Sequence, residues 1–216
     1  KKPVYVARKN NKASISVALV MSLINFISEK AKIGKNTVVL NFVYVGDDVE
    51  IGDNVKIEHG AKIYEGCIIG SNSIIGANAV LRPNTQIGEH SIFGSLSVCV
   101  GDTRIGDWTT IHDNCHVTSG MTIGNSVFIA PMFTSANTPK MSKGKFGYPN
   151  TTHDPRNPPI IEDGVRIGER VSLAPGVRIG KYSLIDMECL ITKDIPPYSH
   201  VRADKSIVGR VIGKID

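Results

Sequence analysis

The chain has 216 residues, a formal net charge of +5, 41% hydrophobic residues and 21% charged ones. That balance suits a globular protein of one sizeable domain, or two small ones, and excludes a disordered chain. Glycine is frequent at 21 residues and aromatics make up only 6%, so tight corners and a core of small branched side chains are expected. No apolar run approaches the ~20 residues of a membrane span, and the start KKPVYVARKNN lacks the apolar stretch of a secretory signal. The basic residues are scattered, with no recognition helix or aromatic stacking set, so no nucleic-acid partner is expected. Four cysteines at irregular spacing give neither a disulfide framework nor a zinc pattern, and point to the reducing cytoplasm.

Residues 1–26, including SISVALVMSLINF, carry no repeat and are expected to cap an open end of the repeat array that begins at Ile27. From Ile27 to Thr134 the chain divides into 18 consecutive hexapeptides without insertion, from ISEKAK to IAPMFT. After an interruption at 135–160, six more run from Ile161 to Pro196, and residues 197–216 form a tail. The first hexapeptide position is Ile, Val or Leu in 22 of the 24, and the fifth is Ala, Ser, Thr, Val or Cys in 21. Neither the period of two of a flat sheet nor the 3.6 of a helix produces sixes. One branched and one small residue per six point to a shared interior. Position four is Asn, Gly or Asp in 11 of the first 18, residue types that accept a left-handed corner. Three short strands and three corners then make one coil of 18 residues, and coils stack as parallel strands about 4.8 Å apart. The predicted fold is all-β, a parallel β-helix of about eight coils with one long inserted loop and short terminal caps. All four cysteines (Cys67, Cys99, Cys115, Cys189) fall on interior positions and read as core filler.

Reading columns at 18-residue intervals, Val38, Lys56, Ile74, Ile92, Thr110 and Phe128 point outward on one face and Tyr44, Lys62, Val80, Val98, His116 and Thr134 on the next, so both adjoining faces carry apolar side chains outward. Such columns imply a partner surface around their common corner, Phe42, Gly60, Asn78, Leu96, Asn114 and Met132. The segment IHDNCH wraps that corner. His112 precedes it, Asp113 and Asn114 form it, and His116 follows it, while Gly94 and Ala130 in the His112 column leave room beside the imidazole. A long loop leaves nearby at Ser135, and long loops inside compact domains are usually functional. Histidine is the side chain best suited to proton transfer near neutral pH. His112 is therefore the leading general base, with His116 and His153 as alternatives and Asp113 and Asn114 as orienting residues. His90, in another corner column beside Trp108, reads as a surface stack.

These hexapeptides resemble the left-handed β-helix of the hexapeptide-repeat acyltransferases. The stretch VFIAPMFTSANTP, a loop and then PPIIEDGVRIG is similar to nucleotide-sugar N-acetyltransferases. The resemblance implies a left-handed winding, a homotrimer with sites between subunits, and acetyl transfer from acetyl-CoA to an amino or hydroxyl group of a sugar or nucleotide-linked sugar. It places Ala130, Pro131, Ala174, Pro175 and Gly176 along the pantetheine channel, and Arg166, Arg178, Lys193, Arg202 and Lys205 as candidates for the CoA phosphates. Asn137 and His153 become substrate contacts in the loop, and no metal is required. Two departures stand out. VRADKSIVGRVIG replaces the Gly-Asn-Pro-Ala-type turn of many relatives, and Thr138-Pro139 stands where some sugar O-acetyltransferases carry His-Pro. The competing readings are a γ-class carbonic anhydrase-like zinc enzyme, whose family has a wider histidine spacing than His112–His116, and a non-catalytic β-helix scaffold.

Overall fold

The computed structural model describes residues 25–139 and 156–203, and the backbone of 207–210. Among these residues there is no helix, and so none long and apolar enough to cross a membrane. Each hexapeptide forms one two-residue strand and one corner. Strands β1 (Phe26–Ile27), β2 (Lys32–Ile33) and β3 (Val38–Val39) open three parallel sheets, here faces 1, 2 and 3, and the pattern repeats along the chain. Every third strand pairs in register at 18-residue intervals, as in Tyr44↔Lys62 on face 1, Gln86↔Arg104 on face 2 and Ile92↔Thr110 on face 3. The result is a parallel β-helix, consistent with the expected left-handed winding.

Face 1 has nine strands, so the helix has nine turns where 24 hexapeptides alone make eight. The additional turn has two sources. Thr134 and Ser135 form a further strand, β19 (Thr134–Ser135), before the loop leaves. The tail supplies β26 (Ser199–Val201), which pairs parallel with β24 (Leu184–Ile185) and antiparallel with β27 (Ile207–Arg210). The expected N-terminal cap falls almost wholly on residues 1–24, outside the described residues.

The interior is a ladder of isoleucine, valine and leucine, with Phe93 and Phe133 at two positions where the hexapeptide rule breaks. Both phenylalanines are fully buried, so these exceptions are core residues of larger volume. The hydroxyls at fifth positions do not interrupt the core. Oγ of Ser73, Oγ of Ser91 and Oγ1 of Thr109 each donate to a carbonyl in the next turn at 2.8 Å and each accept a backbone N–H 18 residues on. Among the described residues, no buried side-chain N or O lacks a partner. Cys67, Cys99, Cys115 and Cys189 are buried as expected. Burial pushes the Cys67 and Cys115 thiols up to about 11 and the Cys99 thiol up as well, so none of these three offers a thiolate at neutral pH.

Candidate active site

His112 ends the fifth turn, directly after β15 (Thr110–Ile111), at the corner where face 3 passes to face 1. Its backbone is held by two hydrogen bonds: its N–H donates to Ile129 O at 2.9 Å, and its carbonyl accepts from Ser97 Oγ at 2.8 Å. Below it Gly94 approaches so closely that a Cβ there would collide with the His112 backbone. The half-buried ring lies edge-on to Phe128, centroids 5.2 Å apart at 67°, which fixes its orientation. Ala130 above is small and 8% exposed, so one side of the imidazole is unobstructed by the adjoining turn.

The other corner residues have different duties. Asp113 Oδ1 accepts the Ser95 N–H at 2.7 Å, the same bond that Asp107 Oδ1 makes with Glu89 N and Asp163 Oδ1 makes with Asn125 N at another corner. Its carboxylate therefore caps the turn, and among the described residues neither His112 nor His116 has a carboxylate hydrogen-bonded to its ring. Asn114 takes the left-handed corner position (φ 56°) with its side chain exposed. His116, in β16 (His116–Val117), points outward on face 1 between Val98 and Thr134, and the Thr134 and Ser172 hydroxyls continue that column 2.8 Å apart.

The inserted loop departs from the far edge of face 1, and its two feet are tied together. Asn157 N donates to Asn137 O and Gly176 N to Asn157 O, both at 2.7 Å. Asn137 Nδ2 reaches Ser119 O at 2.9 Å, and Arg156 Nη1 reaches Ser119 Oγ at 3.1 Å. Gly176 is in the left-handed region (φ 76°) and the Asn157 amide occupies the space that a Cβ would need. Asn137 is thus a loop anchor, while His153 lies outside the described residues. Ser119, Arg156 and Asn157 escaped the sequence reading, although paired asparagines flanking an insertion were a signal of its closure.

The residues expected along a donor channel divide between two places. Ala130 and Pro131 lie at the corner beside His112, whereas Ala174, Pro175 and Gly176 lie across face 1 under the loop foot. The cations are more dispersed. Arg178 is on face 2 and paired with Glu162 at 2.7 Å; Arg166 is on face 3 and donates to Ser126 O at 2.5 Å. Lys193 is exposed one turn above Pro175, Arg202 is exposed after the last turn, and Lys205 lies outside the described residues. One further pair went unread in the sequence. His200 Nε2 and Asp186 Oδ1 are 2.7 Å apart, with Asp186 in the corner column three turns above His112 and Ala130 and Gly168 between.

A depression of ≈ 340 Å³ lies on face 2, lined by residues including Gln86, Arg104 and Thr122. It is away from both imidazoles. Apolar, exposed side chains stand beside His112: Leu96 and Met132, one turn below and one turn above Asn114 at the corner, are 56% and 52% exposed, and Phe128 beside the ring is 38% exposed, while Phe42, also exposed, lies four turns below Asn114 in the same column.

Comparison with known proteins agrees with this architecture. The model of the bacterial transferase hexapeptide (six repeats) matches residues 30–65 and 66–101, and that of the hexapeptide repeat of succinyl-transferase matches 158–193, together half of the chain. The bifunctional protein GlmU of Methanococcus aeolicus is 37% identical over 191 residues, 83% of this chain and 42% of that protein. The chain thus spans under half of that relative, and its match to the GlmU protein of Thermotoga maritima covers only 10% of the latter. Among solved structures, the UDP-N-acetylglucosamine acyltransferase from Campylobacter jejuni shares the fold at a TM-score of 0.72 and 23% identity, with 86% of this chain and 73% of that one covered. The hexapeptide-repeat acetyltransferase from Vibrio cholerae, solved with acetyl coenzyme A, has a TM-score of 0.51 and 26% identity, with 61% of this chain and 72% of that one covered.

Proposed function

The chain belongs to the hexapeptide-repeat transferases, and from that premise we propose that it transfers an acetyl group from acetyl-CoA to an amino or hydroxyl group of a sugar or nucleotide-linked sugar. The observation that carries this reading is His112: a half-buried, oriented imidazole with small neighbours above and below, at a corner shared with exposed apolar side chains. Acetyl-CoA supplies the activated acyl group as a thioester, and the acetyl-CoA-bound relative from Vibrio cholerae supports that donor.

His112 acts as general base. Its free ring nitrogen takes the proton from the acceptor amine or hydroxyl as the new N–C or O–C bond forms and the C–S bond breaks, and it returns that proton to the departing sulfur. Phe128 holds the ring plane during both transfers. Asn114 offers an exposed amide to the acceptor and Asp113 fixes the corner that presents it. Ala130 and Pro131 permit close approach of the donor's arm, and Ala174 to Gly176 with Lys193 form its second wall.

The site completes itself by self-association. Phe42, Leu96 and Met132 stand in left-handed backbone (φ 64°, 59° and 64°), a conformation that bulky side chains adopt at a cost. Their exposure in one column, with Leu96 and Met132 flanking the His112 turn, supports a homotrimer closed around this corner. A cytoplasmic location follows from the use of acetyl-CoA. The test has two parts on the same preparation. Sedimentation equilibrium gives the assembly, with a trimer expected. Release of free CoA thiol is followed with acetyl-CoA and a panel of amino sugars, sugars and their nucleotide-linked forms. Turnover with none of these, together with no calorimetric binding of acetyl-CoA at millimolar concentration, overturns the transferase reading.

A further inference from the structure

The corner between faces 2 and 3 changes character midway along the helix. In its first turns Asn36, Asn54 and Asn72 form an amide ladder, with side chains joined at 3.3 and 3.2 Å. Beyond them the same left-handed position holds His90, Trp108, Ser126, Gly164, Tyr182 and Tyr198. Trp108, Tyr182 and Tyr198 are 63%, 47% and 38% exposed. Large rings in left-handed backbone are uncommon, and the asparagine ladder next to them shows that the corner has no structural need of them.

The rings are also paired in stacks. Trp108 stacks on His90, centroids 4.0 Å apart and 7° between planes, and Tyr198 stacks with Tyr182 at 5.4 Å and 22°. Tyr182 lies over Gly164, where a Cβ would collide with its ring. Between the two stacks, Ser126 and Gly164 keep the edge low. The Arg166 guanidinium is docked there on Ser126 O, and Lys181 reaches over the Tyr198 ring at 6.0 Å. Among the described residues neither cation has a carboxylate within ion-pair distance. Asp107 and Asp163 stand one residue before the corner positions, each with Oδ1 accepting a backbone N–H, so that Oδ2 is left as an acceptor.

From this edge we propose a saccharide-binding strip, separate from the transfer site and independent of its chemistry, that holds an oligosaccharide lengthwise along the corner. The apolar C–H face of a pyranose packs on the electron-rich face of an aromatic ring. Two ring stacks separated by low residues suit consecutive sugars, and their stacking before binding reduces the ordering cost. Arg166 and Lys181 donate to hydroxyls or acidic substituents, and Asp107 and Asp163 accept from hydroxyls. This alternation of charge favours a sugar chain over a nucleic acid, whose phosphate at every residue needs an unbroken cationic track.

Trp108 is the only tryptophan of the chain, so its emission reports on the strip alone. The full chain is titrated with a β-1,4-linked hexamer of N-acetylglucosamine, with a hexasaccharide that alternates N-acetylglucosamine and glucuronic acid, and with a single-stranded hexanucleotide. A saturable change in Trp108 emission is expected with at least one sugar. Tyr182→Ala and Arg166→Gln, each checked for an unchanged melting profile, should weaken it by about tenfold, whereas Tyr182→Phe should retain it. Silence of Trp108 with both hexasaccharides at millimolar concentration, wild-type affinity in Tyr182→Ala, or tighter binding of the oligonucleotide overturns the proposal. None of these readings depends on acetyl transfer.

Discussion

Two corners of this helix share a backbone and differ in what they carry. Where face 2 meets face 3, the early turns place Asn36, Asn54 and Asn72 in the left-handed position, and their amides satisfy one another. Where face 3 meets face 1, the same position holds Phe42, Leu96 and Met132 interspersed with Gly60, Asn78 and Asn114, and the three apolar side chains are half-exposed. Left-handed backbone costs a bulky residue on the order of 1–2 kcal/mol, whereas asparagine can offset it locally. The early turns of the first corner are therefore scaffold. At the second, the proposed homotrimer would bury these side chains and so offset the cost.

The largest expected effect tests the chemistry at the second corner. His112→Ala should lower kcat about 10²- to 10⁴-fold with the melting curve unchanged, while Asn54→Ala, at the scaffold corner, should leave turnover intact. A steady-state comparison of the two variants decides it, and equal activity in both removes His112 from the mechanism. Next in size is assembly. Leu96→Asp should place like charges together around the axis of the proposed trimer and shift sedimentation to the monomer, a penalty of several kcal/mol. Asn54→Asp at the scaffold corner should leave the assembly intact.

Behind the corners the interior is expected to be alike, whatever each carries outside. The thiols of Cys115, behind the His112 corner, and Cys67, behind the corner from face 1 to face 2, are both raised to about 11 by burial. The folded state thus binds these protons more tightly than the unfolded chain, whose thiols titrate near 9.0. Their contribution to stability is complete below pH 9 and is lost as the pH rises through 11, by about 2 kcal/mol for each thiol. Urea midpoints from pH 8 to 11 should fall, and Cys115→Ala and Cys67→Ala should each flatten the fall to a similar degree. The smallest effect concerns the scaffold corner itself. Asn72→Leu should destabilise by about 1 kcal/mol, read as a lower urea midpoint, whereas Leu96→Asn should slightly stabilise the isolated monomer.

The repeat made the fold legible because every residue in a β-helix of constant period repeats its environment 18 positions later. Ile92, Thr110 and Phe128 could be stacked on paper, and the structure pairs them so. The same arithmetic brought His112, Asn114 and His116 to one corner. It was silent on bonds that cross the period. Ser119 with Arg156, Asn137 with Asn157, and His200 with Asp186 join residues whose separation includes the loop or the irregular last turn. Nor could it foresee that Asp113 spends its Oδ1 on a backbone amide, since a corner carboxylate that caps a turn and one that orients an imidazole look identical in sequence.

By itself the sequence determined the winding unit, the interior ladder and the outward columns, because side-chain alternation and left-handed corners are local properties that a six-residue period repeats without tertiary information. Only the tertiary structure decided which outward residues are engaged and which are available. Arg178 is tied to Glu162, Asp113 is tied to the turn below, and Trp108 is stacked flat on His90. It also raised the eight expected coils to nine, by letting Ser135 and the tail complete a turn. The physical reason is that these outcomes depend on distances between turns and on where an interrupted chain rejoins the stack, which the hexapeptide period does not encode.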